Sequence, residues 1–423
     1  MSIQIALFSG PTYKQNIIME QPTQKIEQII NTAETERQEC LNFIITVKNS
    51  VLATFPFTTE DEKKILEDKF DSLLNNNDSD TEVINNIKSI LASLENTHTL
   101  LKEKKEDAYY LEKSIFYKAN KYWIENDNQI LEVVNLNGLD INELIYQKIK
   151  KIGGGTVDYK INRALKDLLI SDIPYAAVLE VKNKEGQTFN LKINYTNIKE
   201  ITPSLAKEKF VDSQMLDEDI GYLKINTWSS RVNINGQNIS DLVEDNLKLL
   251  ASSKSLIIDV RKNSGGDSKL AEKLAGHFIT QPIVYGTVLT RELGHDTLVN
   301  QNLCLQPQGD YLDKKLVILT GPDCLSSNEM FIMMLKDTNR AITVGQTTGG
   351  GSGSPKSFNI HLGERKFTLN IATWKMRRNN GSPLENIGIE PDLPVITTPD
   401  DVIQYQDPDL KKAIEYVHSH LEI

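Results

Sequence analysis

Lys315-Leu-Val-Ile-Leu-Thr-Gly-Pro-Asp-Cys-Leu-Ser-Ser-Asn-Glu-Met330, continuing to Gly345-Gln-Thr-Thr-Gly-Gly-Gly-Ser-Gly353, is the stretch that decides the architecture of this chain. The apolar run Leu316–Thr320 reads as a buried strand that stops at Gly321-Pro322. Ser326 then sits in a tight loop, and Asn328-Glu-Met-Phe-Ile-Met-Met-Leu335 reads as a helix that begins at once. A hydroxyl between a strand end and a helix start has free backbone N–H groups and the positive end of the helix dipole beside it. Acyl transfer needs that environment, because negative charge develops on the carbonyl oxygen next to the nucleophile. The same residues, Ser326-Ser-Asn-Glu329, also spell a capping box, with Ser326 as N-cap and Glu329 reaching back. Taken alone, the segment supports both readings.

Outward from it, residues 216–400 alternate strand and helix. Gly221-Tyr-Leu-Lys-Ile225 precedes a helix over Ile239–Leu250, and Ser255-Leu-Ile-Ile-Asp-Val260 precedes one over Ser268–Phe278. Ala341-Ile-Thr-Val344 follows the Met330 helix. This pattern predicts an α/β layer with ligands outside the carboxyl ends of the strands. Ser326 and the Asn263-Ser-Gly-Gly-Asp267 turn both fall at such ends. Glycine at 265 and 266 lets backbone N–H groups approach a ligand, although an ordinary strand-to-helix turn has the same composition. Neither this turn nor Gly349-Gly-Gly351 is followed by Lys-Ser/Thr, so a phosphate loop is not indicated.

Further out, residues 24–105 read as helices. Ile26, Ile29, Ile30 and Ala33, then Cys40, Phe43, Ile44, Val47 and Val51 keep a 3.6-residue period. Thr59-Glu-Asp-Glu62 starts a second helix, Asn75–Asp80 breaks it, and Val83, Ile84, Ile87, Ile90, Leu91 and Leu94 mark a third. From about 106 to 200 the chain changes to short β-type runs with a helix over Ile141–Lys150 and a hairpin turn at Lys182–Gln187. Residues 201–215 read as a charged connector, and His418-Ser-His420 as part of a polar tail.

Composition narrows the function classes. With 39% hydrophobic and 25% charged residues the chain is a globular protein with length for two or three domains. A net charge of −11 argues against nucleic-acid or anionic-membrane partners. No apolar run approaches the roughly 18–20 residues of a membrane span. The first ten residues lack the basic region of a secretory signal, so a cytoplasmic location is expected. Cys40, Cys304 and Cys324 have no CxxC spacing, so neither a disulfide framework nor a metal site is predicted, and no cofactor is implied.

Ile257-Ile-Asp-Val-Arg-Lys-Asn-Ser-Gly-Gly266, Leu319–Glu329, Val344-Gly-Gln-Thr-Thr-Gly-Gly350 and Asn386-Ile-Gly-Ile-Glu-Pro-Asp392, in that order, resemble the C-terminal processing peptidases, the tail-specific serine proteases. The resemblance implies a crotonase-like α/β core over 201–423, a β-rich PDZ-like module over 106–200 and a helical N-terminal domain over 1–105. One departure changes the chemistry. Members with a Ser–Lys dyad carry lysine where this chain has Gly351. The tricorn-like branch uses histidine backed by glutamate instead, and Asn96-Thr-His-Thr99 resembles the segment that holds its histidine.

The resemblance then implies Ser326 as nucleophile, His98 as general base and Glu385 as the carboxylate that orients the imidazole. The N–H of Ser327 with that of Gly265 or Gly266 would form the oxyanion hole. The implied partner is a peptide or unfolded protein substrate, and a homodimer is left open. An alternative keeps the same fold as a catalytically inactive binding protein, because the dyad lysine is gone and fold does not fix function.

Overall fold

The structure, a computed structural model, describes residues 22–76, 78–105, 107–197, 209–292 and 297–421. The N-terminal stretch that was read for a signal and residues 201–208 of the expected connector lie outside the described residues. Among the described residues no helix is long and apolar enough to cross a membrane. The fold is mixed α/β, with helices and several sheets.

The run that decides the architecture is the strand Lys315–Thr320, in the interior of a six-stranded sheet. Across the sheet lie Val211–Met215, Ile220–Ile225, Ser255–Asp259, Lys315–Thr320, Ala341–Gly345 and Leu393–Pro394. All neighbours run parallel except the first pair. Continuous apolar runs such as Leu256-Ile-Ile258 are expected in a parallel sheet covered on both faces. On one face Leu256, Ile258, Leu316 and Ile318 pack with Val243, Leu274 and Phe331 from the helices Ile239–Leu249, Ser268–Gly276 and Ser327–Lys336. On the other, Ile257, Val317 and Leu319 meet Ala413 and Val417 of the helix Pro408–Leu421.

Two expectations are corrected here. The polar tail is a helix whose apolar positions, Leu410, Ala413, Ile414 and Val417, recur at helical spacing and seal the sheet, with His418 and His420 on its exposed side. The described end of the connector, Val211–Met215, is the antiparallel edge strand of that sheet. A further antiparallel sheet of Leu298–Leu305, Ile283–Arg291 and Trp374–Arg378 was not foreseen.

The helices Pro22–Thr54, Glu60–Leu74 and Asp80–Ala92 pack on a three-stranded sheet of Leu100–Lys104, Arg365–Ile371 and Lys356–Leu362. Val47, Val51, Phe70 and Ile87 share one core there with Phe367 and Leu369, so the N-terminal helices are built onto strands from the far end of the chain. The β-rich stretch forms an eight-stranded sheet whose core, including Ile124, Leu131, Leu179 and Val181, is closed by the helices Ile141–Ile149 and Val157–Leu168. Its hairpin Tyr175–Lys182 to Thr188–Asn197 turns where the sequence places it.

Candidate active site

Three adjacent parallel strands deliver three loops to one place. Ser255–Asp259 leads to Gly265, Lys315–Thr320 to Ser326, and Ala341–Gly345 to Gly349–Gly351. Ser326 stands at φ 59 and ψ −129, a left-handed conformation that costs a non-glycine residue about 1–3 kcal/mol. Hydrogen bonds hold it there. Its N–H donates to the Gly351 carbonyl at 2.9 Å, and its carbonyl accepts from Glu329 at 2.8 Å and Met330 at 3.1 Å. The Ser326 side chain makes no capping bond, so the capping-box reading is overturned. Glu329 instead turns beneath the next loop, where its carboxylate accepts from the Thr348 hydroxyl and, at 2.9 Å each, from the Gly350 and Gly351 N–H groups. Burial pushes Glu329 up to about 7, against three donors that favour its ionised form.

His98 Nε2 lies 3.0 Å from Ser326 Oγ. The histidine sits in a turn between the helix Asp80–Ala92 and the strand Leu100–Lys104. Buried Asn96 folds that turn, accepting the His98 N–H at 2.9 Å and donating to the Ser352 carbonyl at 3.2 Å. Loop 153–156 braces it from the β-rich side. A Cβ on Gly154 would lie 2.7 Å from the Glu95 carbonyl oxygen, so only glycine permits the approach. Thr156 N–H donates to the Gly349 carbonyl at 2.8 Å, Gly155 N–H to Asn386 Oδ1 at 2.7 Å, and Asn386 Nδ2 to the Glu95 carbonyl at 3.0 Å. Histidine turn, serine loop and glycine loop are therefore one hydrogen-bonded unit. Burial holds His98 down, to about 4, so the ring is neutral at pH 7 and able to accept a proton.

The group facing His98 Nδ1 is Thr97, with Oγ1 at 2.8 Å. In the tautomer whose Nε2 accepts from Ser326, Nδ1 carries the proton and donates to Thr97 Oγ1. Glu385 lies one step further back. Its Oε1 accepts from the Ser352 hydroxyl at 2.7 Å and from Met376 N–H at 3.4 Å, it makes no hydrogen bond to His98, and burial pushes its pKa up. Ser352 thus joins Glu385 to Asn96 of the histidine turn. A Cβ on Gly351 would lie 2.1 Å from Thr97 Oγ1. Thr97 thus fills the space that a side chain at position 351 would need.

Gly265, at φ 99, lies against the serine: a Cβ there would be 2.9 Å from Ser326 Cβ and 3.2 Å from Ser327 N. Gly265 N–H already donates to Asn263 Oδ1 at 2.9 Å. Gly266 N–H and Ser327 N–H, by contrast, have no acceptor among the described residues.

The sequence model of Peptidase family S41 matches residues 219–395. This core belongs to peptidase family S41. Over 232 residues the chain is 23% identical to the carboxy-terminal processing protease CtpB of Bacillus subtilis (strain 168), covering 52% of this chain and 44% of that protein. It is 27% identical over 169 residues to a tricorn protease homolog of Saccharolobus solfataricus, covering 38% of this chain and 14% of that protein. The matched stretches thus span less than half the length of these curated relatives. Among solved structures, mature CPAF superposes with a TM-score of 0.72 over 90% of this chain and 97% of that chain, at 14% identity, which is a likeness of fold.

The S41 match contains Ser326, Ser327, Gly265, Gly266 and Glu385 but not His98, which reaches the S41 core from the helical region. Thr97, Ser352, Asn263 and the inward-facing Glu329 were missed in the sequence. For Thr97 a signal existed, since a hydroxyl beside a histidine is a ready partner for its ring. For Glu329 the sequence pointed the wrong way, because a glutamate three residues after a serine reads as a cap until the loop it supports is seen.

Proposed function

We propose that this chain is a serine peptidase that hydrolyses peptide bonds in unfolded or peptide substrates. The 3.0 Å approach of His98 Nε2 to Ser326 Oγ carries the reading. His98 takes the hydroxyl proton as Ser326 attacks the scissile carbonyl, then returns it to the leaving amine. Water hydrolyses the acyl-enzyme with the same base. Thr97 orients the ring, and the Glu385 carboxylate, behind Ser352, stabilises the imidazolium as it forms. The oxyanion points to the Ser327 and Gly266 N–H groups, because that of Gly265 is engaged by Asn263.

In this reading the six-stranded sheet and its helices are a crotonase-like core over 201–423. The eight-stranded sheet is a PDZ-like module over 106–200, and residues 1–105 are the helical domain that brings the base. Digestion of a peptide library, followed by mass spectrometry, tests the proposal. Wild type should yield defined products, and Ser326→Ala and His98→Ala should yield none; equal digestion by either variant would overturn it.

A further inference from the structure

His98 lies on the wall of a cleft of about 1500 Å³ that runs between the helical region, the eight-stranded sheet and the serine loop. The cleft contradicts the charge of the molecule. The chain carries −11 overall, yet lysines and one arginine dominate this lining. Its four carboxylates are already matched: Glu103 by Arg365, Asp167 by Arg163, Asp172 by Lys105 and Asp323 by Lys166. Lys88, Lys102, Lys104, Lys148 and Lys151 line the same cleft, and among the described residues none of them meets a carboxylate.

These lysines come from separate segments. Lys88 is on the helix Asp80–Ala92, Lys148 on the helix Ile141–Ile149 with Lys151 just past its end, and Lys102 and Lys104 on the strand Leu100–Lys104. Lysine on an edge strand alone would be an ordinary guard against aggregation. Convergence from two further elements is not explained that way. Burial lowers the pKa of both Lys88 and Lys148, and although Glu103 and Asp167 offset this in part at Lys88, and Asp167 at Lys148, the charges of Lys105 and Lys151 add to the crowding. A ligand that supplies negative charge would relieve it.

The cleft also has an open strand edge. Leu100–Lys104 begins two residues after His98 and pairs with Arg365–Ile371 on one side only, being the edge of its sheet. An extended chain added to that edge would lead toward Ser326 with side chains passing the lysines. Resting on the peptidase reading above, we propose that this cleft selects acidic polypeptide segments, so that the chain cleaves substrates carrying Asp and Glu around the scissile bond.

The test takes one peptide cut in the library digest and remakes it with three Glu, three Gln or three Lys on either side of the scissile bond. The Glu peptide should exceed the Gln peptide in kcat/KM by about tenfold or more at low salt, and added salt should shrink the ratio, since such attraction is screened. In Lys88→Gln/Lys148→Gln/Lys151→Gln the Glu-to-Gln ratio should fall toward one. Equal kcat/KM for the peptides in wild type, or a ratio that survives in the triple variant, overturns the proposal. If nothing is cleaved, the peptidase reading fails separately, and anisotropy of labelled Glu and Gln peptides on the Ser326→Ala protein still decides selectivity. Tighter, salt-sensitive binding of the Glu peptide that the triple variant loses supports it; equal binding of the two contradicts it.

Discussion

Thr97 Oγ1 stands 2.8 Å from His98 Nδ1, in the place where a carboxylate would be expected, while Glu385 bonds to Ser352 behind it. The threonine therefore holds the imidazole in its orientation towards Ser326. Thr97→Val keeps the shape and removes the hydrogen-bond partner, and should lower kcat by roughly tenfold to a hundredfold, at or below the lower end of general-base contributions because the base itself stays in place. Thr97→Ser should retain most of the rate. Steady-state kinetics check this, and a Val variant as fast as Ser would refute the role.

Activity should persist well below the ordinary histidine pKa. His98 is held down to about 4 by burial, so the base stays neutral until pH falls through about 4. The acid limb of kcat/KM should appear there; a limb near 6.5 in the folded enzyme contradicts the assignment. Stability carries the same sign. Between about 4 and 6.5 the unfolded chain binds the His98 proton and the folded one does not, so this group costs stability as pH falls through that window. Glu329 acts oppositely. Its folded pKa, about 7, lies above the model-peptide value of 4.5, so it adds stability as pH falls across that interval. Chemical denaturation of wild type and Glu329→Gln at several pH values separates the two, because only the wild type should show the Glu329 contribution.

Glu329→Ala leaves three buried donors, on Thr348, Gly350 and Gly351, without an acceptor. The expected loss is about 3 kcal/mol or more, since each unpaired buried donor costs roughly 1–3 kcal/mol. Activity should fall with it, because the Gly351 carbonyl holds the Ser326 N–H. A melting temperature equal to wild type would show that the loop is supported by something else.

Restoring the dyad residue should not restore a dyad. Any side chain at Gly351 collides with Thr97, the Cβ lying 2.1 Å from its oxygen. Gly351→Lys should be inactive and should fail to rescue His98→Ala in a peptide assay. Rescue would mean that Thr97 moves aside and that a lysine base can be accommodated.

How much of this was legible follows from the range of the interactions. The parallel strands announced themselves as apolar runs, because a sheet covered on both faces needs no alternation. Ser326 and Gly265 could be placed at strand ends for the same reason. The Leu298–Leu305 and Ile283–Arg291 pair was not legible, since its exposed polar positions blur the apolar pattern. Pro408–Leu421 was not legible: its apolar positions keep helical spacing, but the polar residues of its outer face made it read as a tail. Thr97, Ser352 and Glu329 act through contacts with loops distant in sequence, and local propensity carries no trace of such contacts. Glu385 could be picked from the resemblance, but its position behind Ser352 could not.

In the proposed mechanism Ser326 is an acyl-accepting nucleophile activated by His98. Intact-mass spectrometry after a fluorophosphonate probe, with peptide mapping of the adduct, is the decisive experiment. A single adduct on Ser326 is expected in wild type and its loss in His98→Ala, with circular dichroism showing both proteins folded. A folded wild type that takes no label, or an adduct on a different serine, would contradict it.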